Sequence, residues 1–379
     1  MSWTLRTADL DDLARGAALL GTGGGGDPFV GKMLVAQALG EAGEIMILDP
    51  EELDDDAWVI PVAQMGAPTV VVEKMPRGTE PELALITLER HSGRTADATM
   101  PMECGGINSM IPLLVAARRG LPVVDADGMG RAFPQLEMET FSVYGISASP
   151  LAMANEHDEV AIFDTGSDNS RLEGLARGVT SRFGGMAHIA QYSMTGADVK
   201  RTAIPRTLSL ALTIGRSIRL SREQRVDPVQ ALVDSLSDTL YGYGRVLFHG
   251  KVIDVDRRTD EGFARGSVRI AGVGDEELEV QFQNENLIAL HSGVLHSGVL
   301  QSGVLVAIVP DLICIVEADT AEPITTEGLR YGQRVAVIGI ATPPIMRTPE
   351  ALAVFGPASF GLDRPFRPVE TLEQPVLAE

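Results

Sequence analysis

The stretch TMPMECGGINSMIPLLVAARRGLPVVDADGMGR, residues 99–131, decides the fold. Thr99–Glu103 reads as a short strand that enters the turn Cys104-Gly105-Gly106-Ile107-Asn108. Asn108–Arg119 is rich in small and apolar residues and stops at Gly120, which predicts a helix. Pro122–Asp125 is a second strand, and it runs into Ala126-Asp127-Gly128-Met129-Gly130. Strand, glycine-bearing loop, helix and strand again is the pattern of a parallel sheet with helices on its faces. In such sheets ligands sit beyond the carboxyl ends of the strands, where both loops fall.

Upstream, Thr7–Leu20 has Leu10, Leu13, Ala17 and Leu20 at helical spacing, with Thr7 placed to cap it. Gly21-Thr-Gly-Gly-Gly-Gly-Asp27-Pro28 follows, then a helical stretch from Phe29 to Ala42. Glu44–Leu48 and Trp58–Gln64 read as strands, the second of the buried type, and Glu80–Glu89 as a helix. Downstream, Val160–Phe163 is one more strand, and Thr165–Ser170 is a linker. Ser170–Ser181, Thr195–Leu220 (broken at Pro205) and Val226–Leu240 read as helices. From Gly244 the runs become β-type, separated by turn residues. The expected fold is therefore α/β: a mostly parallel N-terminal sheet with flanking helices over 1–165, a helical connecting segment over 166–243, a β-rich C-terminal domain over 244–362, and a tail or surface strap over 363–379.

A chain of 379 residues exceeds what one core usually serves, and 45% hydrophobic residues suffice for two. Asp and Glu number 52 against 31 Lys and Arg, for a formal net charge of −21. A field of that sign repels phosphate backbones and anionic lipid surfaces, so neither nucleic acid nor membrane is expected as a partner. Two distant cysteines, Cys104 and Cys314, make no disulfide framework and no zinc spacing. No secretion signal and no membrane-spanning run is legible, and a reducing cytoplasm fits. One repeat stands out: HSGVL, HSGVL and QSGVL over 291–305, too short for a solenoid and suited to a long β-hairpin or a mobile loop.

Four segments carry the candidate chemistry. Gly21–Gly26 leads into a helix start, where backbone N–H groups can meet an anion, or else it is a tight structural turn. It has no Walker-type lysine, and it follows a helix rather than a strand, which argues against a dinucleotide site. Cys104 sits at a strand-to-helix turn, a place that favours a thiolate, with Glu103 as general base and Asn108 as a polar substrate contact. The alternative is a small buried apolar cysteine. Asp125 and Asp127 lie at a strand's carboxyl end, where a carboxylate polarises a water, holds a metal or caps the next helix; Glu137 and Glu139 add to the acidic character. His188, just after Gly184-Gly185, suits metal binding or proton transfer, or else is a satisfied structural histidine. No Gly-x-Ser-x-Gly elbow and no His-Glu-x-x-His is present.

The blocks GTGGGGDP, ECGGIN and PVVDADGMGRAFPQL, with VQFQNENLIA, VPDLICIVEADTAEPITTEGLRYGQRVAV and FGPASFGLD further on, resemble the S-methyl thiohydantoin desulfurase family. The likeness spans roughly residues 8 to 363. What the resemblance implies is hydrolysis at C2 of a 2-methylthio-imidazolinone ring, releasing methanethiol and leaving a hydantoin. That chemistry needs an activated water, a protonated or polarised ring nitrogen and donors for the hydantoin oxygens. On this reading Glu103, Cys104, Asp125 and Asp127 are the expected catalytic residues, and Gly24, Gly25, Asp27, Asn108 and Arg131 the expected substrate contacts. A divalent metal such as zinc, on Asp127 and His188, would lower the water's pKa. The resemblance also leaves open a non-catalytic accessory subunit of a hydantoinase-type enzyme. The apolar runs of the C-terminal domain suit a homo-oligomer.

Overall fold

The computed structural model describes residues 1–66, 70, 74, 76–260, 263–292, 294–296, 299–301 and 303–373. The chain is α/β, as its alternation requires. The N-terminal sheet holds β1 (Trp3–Leu5), β2 (Ile45–Leu48), β3 (Trp58–Gly66), β4 (Ala98–Pro101), β5 (Val123–Val124), β6 (Leu151–Ala154), β7 (Val160–Phe163) and β8 (Met186–Ala190). Their order is β1-β2-β5-β4-β3-β8-β6-β7. Pairing is parallel across β2, β5, β4 and β3, the part built from strand–helix–strand units. Beyond it the sheet turns antiparallel, with β1 at one end and β8, β6 and β7 at the other. The strand β8 lies inside the stretch read as helical. Its residues MAHIA are all buried and pair along the end of β3.

Helices α1 (Leu10–Leu20), α2 (Phe29–Ala42), α3 (Glu80–Ser92), α4 (Ile111–Arg119), α5 (Asn169–Arg182) and α6 (Thr207–Gln224) flank this sheet. The apolar stripe of α1, with Leu10, Leu13, Ala17 and Leu20 buried, faces the core that the leucine spacing predicts. Two close approaches bind α1 to α6. A Cβ on Gly16 would lie 1.8 Å from the Ala211 carbonyl oxygen, and the buried Asp12 carboxylate accepts from the Arg219 guanidinium at 2.9–3.0 Å.

The C-terminal sheet is a seven-stranded antiparallel array of β9 (Gly244–Asp260), β10 (Phe263–Ala271), β11 (Glu277–Gln283), β12 (Glu285–Ser292), β13 (Val304–Ile308), β14 (Leu312–Glu317) and β15 (Arg334–Ile340). The run ELEVQFQ of β11 alternates strictly, and Leu278, Val280 and Phe282 are its buried members. Within the repeat, Val294–His296 pairs antiparallel with Val299–Gln301, a hairpin; residues 293, 297, 298 and 302 and the side chain of His296 lie outside the description. His291, the first repeat histidine, is fully buried with its ring 5.2 Å from that of Phe248. Past residue 363, Val369 and Leu372 are buried against the sheet, which makes the described part of this segment a strap.

The two sheets are joined through the glycine loops. Asn286 N–H donates to the Thr22 carbonyl at 2.8 Å, and Thr326 N–H to the Gly23 carbonyl at 2.7 Å. Arg131, fully buried, donates to the carbonyls of Asn286 (3.0 Å) and Asp311 (3.1 Å). No helix among the described residues is long and apolar enough to cross a membrane.

Candidate active site

Three loops leave the parallel part of the N-terminal sheet and its first helix at one edge, and they pack on one another. Ile107 N–H donates to the Gly25 carbonyl at 3.0 Å, Gly128 N–H to the Met102 carbonyl at 2.9 Å, and Ala132 N–H to the Leu20 carbonyl at 3.2 Å. Gly106 has a φ of +59°, and a Cβ there would lie 2.1 Å from the Gly25 carbonyl oxygen. The ECGGIN turn therefore needs glycine at this point for contact with the other glycine loop.

A cleft of about 90 Å³ opens where these loops meet the end of β3 and the β11–β12 turn of the C-terminal domain. Its apolar wall comes from Met65, Met102, Ile107, Met129, Phe133 and Leu136, and its polar groups include Gln64, Glu103, Asn108, Arg177, Asn284 and Glu285. Asn108 is fully engaged. Its Oδ1 accepts from Gln64 N–H at 2.6 Å, and its Nδ2 donates to the Gln64 carbonyl at 3.2 Å and to Glu103 Oε1 at 2.7 Å. It thereby locks the Glu103 carboxyl to the end of β3.

The other oxygen of Glu103, Oε2, has no partner among the described residues, and the same holds for Glu285 Oε2 and both carboxyl oxygens of Glu139. Burial pushes Glu103 well above the usual carboxylate range, and the charges of Glu285 and Asp127 push the same way. Burial also lifts Glu285 to about 8, against the opposing pull of the Arg131 guanidinium and a hydrogen bond from the Gly25 amide. Glu139, with no exposed surface, is raised well above its ordinary value by burial and by Asp127 and Glu103. Burial favours the neutral acid at Glu103, Glu285 and Glu139, because desolvation penalises each charge and each charge penalises the next.

Of the residues expected from sequence, Gly25, Glu103 and Asn108 line the cleft. Gly24 stands behind it: a Cβ there would lie 2.1 Å from Glu285 Oε1, so the glycine makes room for a carboxyl of the other domain. Cys104 is fully buried, its Sγ donates to the Thr207 carbonyl at 3.3 Å, and burial drives its pKa well above that of a free thiol. Burial and the nearby Asp127 and Asp125 charges thus oppose the helix-start thiolate expected here, and only the Thr207 contact offsets them. Asp125 accepts from Ser209 N–H at 3.1 Å, from Ser209 Oγ and from the Trp3 indole at 3.3 Å, so it caps the start of α6. Asp127 accepts from the amides of Cys104 at 2.6 Å and Gly130 at 3.1 Å and ties two loops together, with burial lifting it to about 7. Arg131 spans the domain junction, and the exposed Asp27 accepts from Phe29 N–H at 2.9 Å as α2 begins.

His188 lies on β8, paired across from Gln64, and burial lowers its pKa to about 4 against the charges of Glu80 and Glu156. It shares no ligand group with Asp127, whose oxygens already serve backbone amides. Among the described residues no group of three or more His, Cys, Asp or Glu side chains is placed to hold a metal. The donor pair expected for zinc does not fit a metal.

Sequence reasoning missed Glu285 and gave Glu139 no role. Glu285 stands in the turn Gln283-Asn284-Glu285 between two β-runs, where an acid reads as solvated. The one available signal was the four-glycine run, which demands a close neighbour without saying which. Against known proteins, residues 8–165 match the family description "S-Me-THD-like, N-terminal domain" and residues 167–369 "S-Me-THD-like, C-terminal domain". None of the curated proteins matches. A protein from Chromobacterium violaceum, solved by X-ray crystallography, superposes with a TM-score of 0.80 at 25% identity, over 97% of this chain and 100% of that one.

Proposed function

We propose, from the premise that this chain belongs to the S-Me-THD-like family, that it hydrolyses an S-methyl thiohydantoin to a hydantoin and methanethiol in the cleft between the β3 end and the β11–β12 turn. The observation that carries this reading is the Glu103 carboxyl, neutral by burial, anchored through Oε1 by Asn108 and with Oε2 unpartnered beside the cleft. A neutral carboxyl is a hydrogen-bond donor, and the reaction needs one: a proton on the ring nitrogen next to C2 makes that carbon electrophilic. Glu103 thus suits the acid's role better than the base's role the sequence suggested. The methionine-rich wall matches a methylthio group by soft, adaptable apolar contact, and a cleft whose one lining cation among the described residues, Arg177, is already engaged suits an uncharged ring over a phosphate. Arg177, at the rim, is occupied by Glu173, by the Pro134 carbonyl at 3.0 Å and by the Phe263 ring.

Incubating the purified protein with S-methyl thiohydantoins bearing different ring substituents, and following thiol release with a chromogenic disulfide, tests the proposal. Turnover is expected for apolar substituents. Absence of thiol release across the series, together with recovery of the chain in a stable complex with a hydantoinase-type enzyme, would replace this reading with the accessory-subunit one.

A further inference from the structure

We infer that Glu285, supplied by the C-terminal domain, is the general base that activates water against a substrate protonated from the N-terminal side by Glu103; the inference rests on the hydrolase reading above. Glu285 is 3% exposed, lines the cleft with Glu103, and presents an unpartnered Oε2. Its position is rigidly determined. Asn284 before it adopts φ +58°, its Oδ1 accepts from Ala264 N–H at 2.8 Å, and its carbonyl accepts from Thr326 Oγ1 at 2.9 Å. Asn286 after it is tied to Thr22 and, through Nδ2, to the Ile313 carbonyl at 2.8 Å. The four-glycine loop closes on the carboxyl from behind, at Gly24.

Of the two cleft carboxyls, Glu285 is the one built to bear charge. The Arg131 guanidinium and the Gly25 amide favour its anion, while Glu327 and Glu103 oppose it. Glu103 has only the Asn108 amide on its side and faces Glu285 and Asp127. Two such carboxyls share protons unequally, and ionising one holds the other neutral.

The cycle then balances. Glu103 gives its proton to the ring nitrogen while Glu285 takes one from the attacking water. The C2–O bond forms, and Glu103 is left anionic with Glu285 protonated. In the second half the C2–S bond breaks. Sulfur takes its proton from Glu285, the new hydroxyl gives its proton to Glu103 as the C2 carbonyl forms, and both carboxyls return to their starting states. Nothing is oxidised or reduced.

The test is steady-state thiol release across pH with the full-length chain. For the wild-type protein, kcat/KM is expected to rise as pH climbs through about 8. In Glu285→Gln, kcat is expected to fall about 10²–10⁴-fold, with hydantoin binding kept within about threefold. Glu285→Asp is expected to recover part of the rate and to move the rising limb. An active wild-type protein whose Glu285→Gln variant keeps more than about a tenth of kcat overturns this inference and leaves the hydrolase reading intact. Should Glu285→Gln fail to fold, Glu285→Asp decides, and an unmoved rising limb overturns the assignment. A wild-type protein that releases no thiol ends both readings.

Discussion

Asp311 and Glu285 are both buried acids of the C-terminal domain, 0% and 3% exposed, yet they are treated in opposite ways. Asp311 is saturated. Its Oδ1 accepts from Thr342 N–H (2.9 Å), Thr342 Oγ1 (3.0 Å) and Arg347 (2.9 Å), and its Oδ2 from Val369 N–H (2.7 Å). Burial raises its pKa even so, with Arg347 pulling the other way. Glu285 keeps an oxygen without a partner among the described residues beside the cleft, as does Glu103. A buried carboxylate that holds a fold together is surrounded by donors; one left short of them is costly unless it is neutral or meets a ligand. The contrast sets an acid that holds the fold apart from the two cleft carboxyls on which the proposed chemistry rests. By it, Asp125 and Asp127, both engaged by backbone or hydroxyl donors, fall on the structural side.

The comparison breaks most visibly at Glu103. Glu103→Gln keeps the shape and the Asn108 contact but loses the transferable proton, so thiol release is expected to drop about 10²–10⁴-fold with the urea midpoint preserved; a rate near wild type would remove Glu103 from the chemistry. The structural pole is Asp311→Ala, which strands Arg347, Thr342 and Val369 donors and is expected to cost about 3–5 kcal/mol in urea unfolding.

Stability against pH sharpens the same line. Glu285 has a folded pKa of about 8, above its ordinary value, so its contribution is fully present below about 4.5 and is lost as pH rises through about 8. Calorimetry at pH 5 and pH 9 is therefore expected to show the wild-type protein losing on the order of 4 kcal/mol that Glu285→Gln retains. A Gly24→Ala substitution forces a methyl onto the Glu285 carboxyl and is expected to cost about 1–3 kcal/mol while slowing thiol release. The smallest effect belongs to Cys104→Ala. It removes one weak Sγ–H contact to Thr207, costs about 1 kcal/mol, and leaves the rate nearly unchanged; a large loss of rate would restore the thiol to the mechanism.

Much of the fold was legible because its signals are local. Leu10, Leu13, Ala17 and Leu20 repeat with the helix, the ELEVQFQ run alternates with the strand, and the glycines fall where the chain turns. The glycine loops were also expected at the carboxyl ends of parallel strands, and there they pack together. The antiparallel rim was not legible, since β8 owes its place to pairing with β3 across more than 100 residues, and MAHIA has no period of its own. Cys104, Asp125 and Asp127 were placed on the right loops, but whether a side chain on a loop faces a cleft or the packing behind it depends on what docks there.

The sequence by itself determined the α/β class of the protein, the order of most of its elements and the family to which it belongs, because periodicity and motif order are written along the chain. Only the tertiary structure decided which acids meet. Gly24 touches Glu285 across 260 intervening positions, Asn108 turns Glu103 toward a cleft, and Ser209 draws Asp125 away from it. Those outcomes depend on two sheets docking through a glycine loop, and desolvation, which sets the protonation of every carboxyl involved, exists only once that docking has excluded water.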